Sequence, residues 1–321
     1  MSRYRKRLPQ LDGRLFLADA GLETVLSFQQ DFELPFFASF VLLRNARGRE
    51  ALRNYFEGFA RMAQAHRAGL VLETPTWRAN PDWGQKLGYK ALALADANRE
   101  AVALVAGVRA AYDSPATPIV VSGNLGPRGD GYRIEHRMSV AAAHDYHLAQ
   151  IATFSGTEAD MVAAFTMTYP DEAIGIVDAA AACEMPVAIS FTLEVNGRLP
   201  SGDALSEAIL RTDAETGSYA AYYMVNCLHP SHLAPALTGS GAWRERLHGL
   251  RANASRRSHA ELDEATELDA GDPDALGEDY LALRQVLPRM NVVGGCCGTD
   301  ERHVAAIAQR LGARPARAVP S

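Results

Sequence analysis

Cysteine is scarce in this chain, with four among 321 residues, far below the density of a disulfide-stapled secreted fold. No apolar run approaches the roughly 18 uncharged residues that a bilayer-spanning helix requires. The charged start MSRYRKRLPQLDGRLF is not followed by the apolar stretch of a secretory signal. Basic residues are in deficit: 32 Lys and Arg against 38 Asp and Glu give a net charge of −6, so a surface for nucleic acid or anionic lipid is not expected. Linker-like composition is absent apart from ARPARAVPS at 313–321, which has the character of a loose tail. What remains is 48% hydrophobic and 22% charged, enough apolar material for a sizeable core. The expectation is a cytoplasmic globular protein that binds neither nucleic acid nor membrane; a homo-oligomer is compatible with the sequence.

One grammar recurs along the chain: a short apolar, β-rich run, a polar or glycine-containing turn, then a longer stretch with helical spacing. Eight runs fit it, at 15–18, 70–72, 119–121, 161–165, 187–191, 222–225, 247–250 and 291–293. Helix-compatible stretches lie between them at 50–68, 91–112, 140–154, 170–183 and 301–311. The interval 230–246, with Pro230, Pro235 and a Gly-Ser-Gly stretch, admits only short helices. Ser258 and Glu261 form a capping box that would open a long helix. In the last helix Val304, Ile307, Ala308 and Leu311 share one face, and Gly312 stops it. Strands alternating with helices pair in parallel, and eight units suit an α/β fold closed as a single (β/α)8 TIM barrel over 1–312, with 313–321 as the tail.

Barrels of this kind carry their chemistry at the C-terminal ends of the strands. In chain order those positions hold Asp19, Glu73 with Thr74 and Thr76, Ser122 to Asn124, Thr166 to Thr168, Thr192 with Glu194, Asn226 with Cys227, Asn253 with Ser255, and Cys296 with Cys297. Three of the four cysteines therefore share one rim. Adjacent residues of a strand face opposite ways, so Cys296 and Cys297 can point at one centre only if the backbone bends. The flanking Gly294, Gly295 and Gly298 permit that by adopting positive φ. Three thiolates with an open fourth position suit a catalytic Zn²⁺. The competing readings are small buried residues at a sheet end, or a redox dithiol, although no C-x-x-C motif is present. His229 and His232 follow Cys227 closely and could replace one ligand, while Cys183 falls on the opposite rim and is expected to be structural. The Gly-rich segment 123–132 lacks the lysine of a phosphate loop and reads as a loop over the pocket.

The Asn-Cys pair after strand six and GGCCGT after strand eight resemble the zinc-dependent homocysteine S-methyltransferase family. The resemblance extends from LADAGLETVL (17–26) through ETPTWRAN (73–80) and FTLEVNGRLPSG (191–202) to GGCCGT. It implies Cys227, Cys296 and Cys297 as ligands of one Zn²⁺. It also implies that Asp19, with the backbone at Ala20, lies near the amino-acid substrate. Glu73, Thr166, Glu194 and Asn226 complete the candidate contacts to substrate. The implied reaction is methyl transfer from a small donor, a sulfonium such as S-methylmethionine or a betaine-like cation, to the thiol of homocysteine, giving methionine. The eight barrel units use the chain's length, which favours a small donor over one held by an appended domain.

Two departures from the family pattern stand out. Where the family has a Glu-Thr pair after strand four, this chain has Phe165-Thr166, so the carboxylate that holds the substrate's amino group is missing, and weak discrimination for that group is the expectation. After strand two, Trp77-Arg78 stands where some members have a tyrosine, as packing and a solvated charge or as part of the pocket. A relative acting on another thiol, or a zinc or amino-acid binding protein without turnover, are the alternatives.

Overall fold

The protein is described here by a computed structural model that covers residues 1–238, 241–258, 261–262 and 267–312. Its eight apolar runs pair in parallel and in chain order into a closed barrel. The strands are β1 (Phe16–Leu17), β2 (Gly69–Glu73), β3 (Ile119–Leu125), β4 (Met161–Met167), β5 (Val187–Thr192), β6 (Tyr222–Asn226), β7 (Leu247–Ala252) and β8 (Val292–Gly295). The expected TIM barrel is present. Most strands extend past the C-terminal end of the apolar run that announced them, where polar residues such as Glu73, Asn226 and Arg251 stay in the ladder.

The outer ring is built by α1 (Ala46–His66), α2 (Ala91–Tyr112), α3 (Val140–Ser155), α4 (Pro170–Ala182), α5 (Leu205–Glu215), α6 (Pro273–Val286) and α7 (Glu301–Gly312). The α1 helix begins four residues before its expected start because Asn45 caps it, its side chain accepting from Gly48 N at 2.8 Å. Ser139 and Asp272 cap α3 and α6 in the same way. As expected, 230–246 holds only short helical turns. The capping box forms: Ser258 N donates to Glu261 Oε2 at 2.8 Å and Glu261 N to Ser258 Oγ at 3.3 Å. The helix it was expected to open falls partly outside the described residues, as does the tail 313–321, and a new helix starts at Pro273.

Two cores divide the apolar residues. The larger lies between helices and barrel; the smaller fills the barrel itself with Phe16, Val71, Val120, Phe165, Tyr222 and Met224 among others. Leu8 joins this inner core, and the buried Gln10 accepts through its carbonyl from Asn291 Nδ2 at 2.6 Å. The basic N-terminal segment thus plugs the N-terminal mouth of the barrel. Arg5 is held there by the carbonyls of Ser155, Thr157 and Ala159. With that end sealed, access is left to the C-terminal face. Among the described residues no helix is long and apolar enough to cross a membrane.

Candidate functional site

At the C-terminal face opens a cavity of about 460 Å³. Cys227, Cys296 and Cys297 lie in its wall with their three sulfurs within 4.8 Å of one another. Backbone geometry brings them there. Cys227, the residue after β6, takes a left-handed conformation, φ 57°, and its N–H donates to the Arg251 carbonyl at 3.1 Å. Cys296 N donates to the Ala252 carbonyl at 2.7 Å and Cys297 N to Asn253 Oδ1 at 3.1 Å. β7 thereby clamps both cysteine segments.

The bend between Cys296 and Cys297 is made differently from the sequence expectation. Gly294 and Gly295 belong to β8 and do not take positive φ; Gly298 does, at 79°. The two strand glycines are needed for closeness instead. A Cβ at Gly294 would stand 2.6 Å from the Asp19 carbonyl, and one at Gly295 would stand 2.1 Å from Thr299 Oγ1. Thr299 Oγ1 donates to the Cys296 carbonyl at 2.6 Å and accepts from Gly21 N at 3.1 Å, closing the turn that aims the sulfurs.

The three thiols have the chemistry of a cation site. Hydrogen bonds from Cys296 and Cys297 pull Cys227 well below the ordinary thiol range. Through those same bonds Cys227 pushes Cys296 up to about 12, and Cys297 also upward. Three thiolates crowded this closely repel one another, so the cluster resists full deprotonation without a cation. A divalent cation removes that resistance, and thiolates about 2.3 Å from a tetrahedral Zn²⁺ would sit about 3.8 Å apart, within the observed span. Neither His229 nor His232 is in this cluster. His229 instead accepts from Ser231 N at 3.2 Å and faces Asp279 at 3.6 Å, and burial takes it down to about 4. Cys183 ends α4 on the opposite rim.

The neighbouring wall is charged and buried. Asp19, 3% exposed, accepts from the Arg251 guanidinium and from Tyr55 Oη at 3.2 Å. Arg251 Nε donates to the Gly295 carbonyl and Nη2 to the Ala20 carbonyl, both at 3.0 Å. Burial works against the Arg251 cation, but Asp19, Cys296 and Glu73 outweigh it and hold the proton more firmly. Burial raises Glu73 to about 8 against the pull of Arg251. Thr166 occupies a left-handed conformation, φ 64°, at a bulge in the β4–β5 pairing. Asn226 pins it there: Oδ1 accepts from Thr166 N at 2.9 Å and from Ser190 Oγ at 2.7 Å, and Nδ2 donates to Thr166 Oγ1 at 3.0 Å.

Asp19, Ala20, Glu73, Thr166 and Asn226 all line the cavity, whereas Glu194 does not. β5 ends at Thr192, and the chain leaves in a tight turn in which Glu194 N donates to the Arg198 carbonyl at 2.8 Å. That turn carries Glu194 away, half-buried. Arg78 is not a solvated charge: it is buried, lies 4.0 Å over the Trp77 ring and 4.1 Å over the Trp83 ring, and donates to the Gly129 carbonyl at 2.8 Å. It holds the loop that carries Tyr132, whose hydroxyl is 3.9 Å from Cys297 Sγ. Arg251 escaped the sequence reading, although a lone charge at the C-terminal end of a barrel strand was its signal. Tyr132 was reached only as the end of the 123–132 loop expected over the pocket, where it does line the cavity.

Over residues 16–311 the chain matches the homocysteine S-methyltransferase family. No curated relative matches it. Among solved structures, the metallated form of the homocysteine methyltransferase MmuM from Escherichia coli is similar, at 21% identity and a TM-score of 0.71 over 93% of this chain and 96% of that one. Its oxidized form is similar over the same shares at 18% identity and a TM-score of 0.74. At these identities the structural likeness speaks for the barrel alone. The cysteine-bearing β6 and β8 ends fall inside the matched span, and on that span the chain belongs to the homocysteine S-methyltransferase family.

Proposed function

We propose that this enzyme moves a methyl group from a small cationic donor, a sulfonium such as S-methylmethionine or a betaine-like ammonium, to the thiol of homocysteine, yielding methionine. Cys227, Cys296 and Cys297 would hold Zn²⁺. The observation that carries the reading is the convergence of three cysteine sulfurs within 4.8 Å in the wall of the cavity. Bound there, zinc would keep the acceptor sulfur in its thiolate form at neutral pH.

The remaining chemistry is a displacement. The acceptor sulfur forms a bond to the methyl carbon while the bond from that carbon to the donor's sulfur or nitrogen breaks, its electron pair neutralising the donor. The protein's part is proximity and charge. Asp19, Glu23, Glu73, Glu267 and Asp269 line the cavity against Arg251, an acidic balance that favours a cation. Phe28, Phe37 and Trp77 stand in the same lining, and aromatic rings attract cations. Thr166, fixed by Asn226, shapes the wall beside the acceptor.

A second acceptor is favoured by one observation, the apolar Phe165 in the cavity wall. The deciding assay loads the chain with zinc and supplies homocysteine with S-methylmethionine or glycine betaine. Methionine is the expected product; bound zinc without methionine from either donor would overturn the reading and favour a binding protein.

A further inference from the structure

Three acids line the cavity from β1 and β2 and their loops, Asp19 and Glu73 buried and Glu23 half-buried, and they differ in what they already hold. Asp19 is engaged by Arg251 and Tyr55. Glu23 Oε1 receives the Ser39 hydroxyl at 2.8 Å. Glu73 is 4% exposed, lines the cavity, and its Oε2 has no hydrogen-bond partner among the described residues.

A buried carboxylate oxygen without a donor is costly, and native proteins keep such an atom where a ligand will complete it. Glu73 is the last residue of β2, paired in register with Ser122 of β3, so its backbone is fixed by the barrel and cannot relax toward solvent. The nearby Asp19–Arg251 pair is neutral as a unit. It cancels its own charge, whereas Glu73 keeps one buried oxygen, Oε2, that no donor of the described residues meets. On the other side, Phe165 is 5% exposed and apolar, so that wall supplies no competing acceptor.

Resting on the acceptor reading above, we propose that Glu73 is the residue that reads the ammonium group of an α-amino-acid thiol, its incompletely satisfied carboxyl group accepting an N–H from the substrate. The thiol end then faces the cysteine cluster of β6 and β8 while the amino end is held at β2. The raised carboxyl of Glu73, at about 8 in the cavity without ligand, agrees with this. An arriving ammonium supplies the positive charge that burial withholds, and the proton displaced from the carboxyl goes to solvent.

The experiment measures binding by calorimetry on the zinc-loaded full chain, with homocysteine and with 4-mercaptobutyrate, which keeps thiol and carboxylate but lacks the amino group. The wild type is expected to prefer homocysteine by about 10- to 100-fold, the range of one charge-assisted hydrogen bond. Glu73→Gln should bring the two ligands to within about threefold by weakening homocysteine alone. Glu73→Asp, which keeps the charge and withdraws it by one methylene, should fall between them, and serves if the glutamine variant does not fold. Zinc content should be equal in all three proteins. A preference that survives Glu73→Gln overturns the assignment while leaving the acceptor reading intact. Failure of the wild type to bind either thiol overturns both.

Discussion

Arg251 lies over the ring of Phe165, its guanidinium carbon 5.2 Å from the ring centroid, while its Nη2 is held by Asp19. The ring face leaves that pairing undisturbed, whereas a carboxylate in the ring's place would compete with Asp19 for the guanidinium. Restoring an acid by Phe165→Glu is therefore expected to satisfy Arg251 and not the substrate. The ratio of kcat/KM for homocysteine to that for 4-mercaptobutyrate should stay within about threefold of the wild type. The same change should cost roughly 2–4 kcal/mol of stability from lost packing inside the barrel, read from denaturant unfolding. A large rise in the ratio would show that the substrate's amino group sits at residue 165.

Metal retention separates the two classes of cysteine. Cys296→Ala removes one of three converging sulfurs and is expected to lose most of its zinc on dialysis, measured by elemental analysis against protein concentration. Cys183→Ala, on the opposite rim, should retain the wild-type stoichiometry. Full zinc content in Cys296→Ala would remove the site.

Gly295 gives a sterically specific expectation. An added methyl meets Thr299 Oγ1 at 2.1 Å and Thr299 Cβ at 2.7 Å, and Thr299 ties Gly21 to the Cys296 turn. Gly295→Ala should therefore weaken zinc binding more than it lowers the melting temperature. A variant that binds zinc as the wild type does would mean that the turn tolerates a shifted Thr299.

Legibility of the sequence broke down at a definable place in each strand. Apolar runs announced the barrel because strands buried on both faces are apolar throughout, and the Ser258 capping box carried its own chemistry. The runs ended where the site begins. Asn226 and Arg251 are polar yet remain in the β-ladder, bonded to the neighbouring strands, so a reading by hydrophobicity stops one or two residues short of the functional rim. The three cysteines were legible by their spacing and their place on the rim. The partners that orient them were not: Thr299 at the turn, the Asn226 clamp on Thr166, and Arg78 between two indoles all depend on contacts between distant segments. Glu194 misled for the converse reason, since proximity to a strand end says nothing about which way the next turn runs.

The clamp on Thr166 is testable as strain. A β-branched residue at φ 64° costs roughly 1–3 kcal/mol and persists only when its surroundings enforce it. Asn226→Ala removes three hydrogen bonds at once, two to Thr166 and one to Ser190, leaving a buried N–H unpaired. Destabilisation of about 2–4 kcal/mol is expected, lowering the melting temperature by roughly 4–12 °C for a domain of this size. Following it with Thr166→Gly, which relaxes the backbone, should restore part of that loss. Additive effects of the two changes would deny the coupling.

Glu73 ties stability to pH in a direction opposite to that of most carboxylates. Its ordinary value of 4.5 is raised to about 8 in the folded chain by burial, so the folded state holds a proton that the unfolded state has released. The stability this supplies is full below about pH 4.5 and is lost as pH rises through about 8. Glu73→Gln, neutral at every pH, escapes the loss. Without metal or substrate, the variant should gain melting temperature over the wild type as pH rises from 5 to 8, by an amount on the order of 1 to 4 kcal/mol in stability. Saturating homocysteine should reverse the comparison at pH 8, because its ammonium stabilises the ionised glutamate and has no equivalent partner in glutamine. A difference between the two proteins that does not change with pH would mean that Glu73 is already ionised in the folded chain, with a partner inside the protein satisfying the oxygen that is assigned here to the substrate.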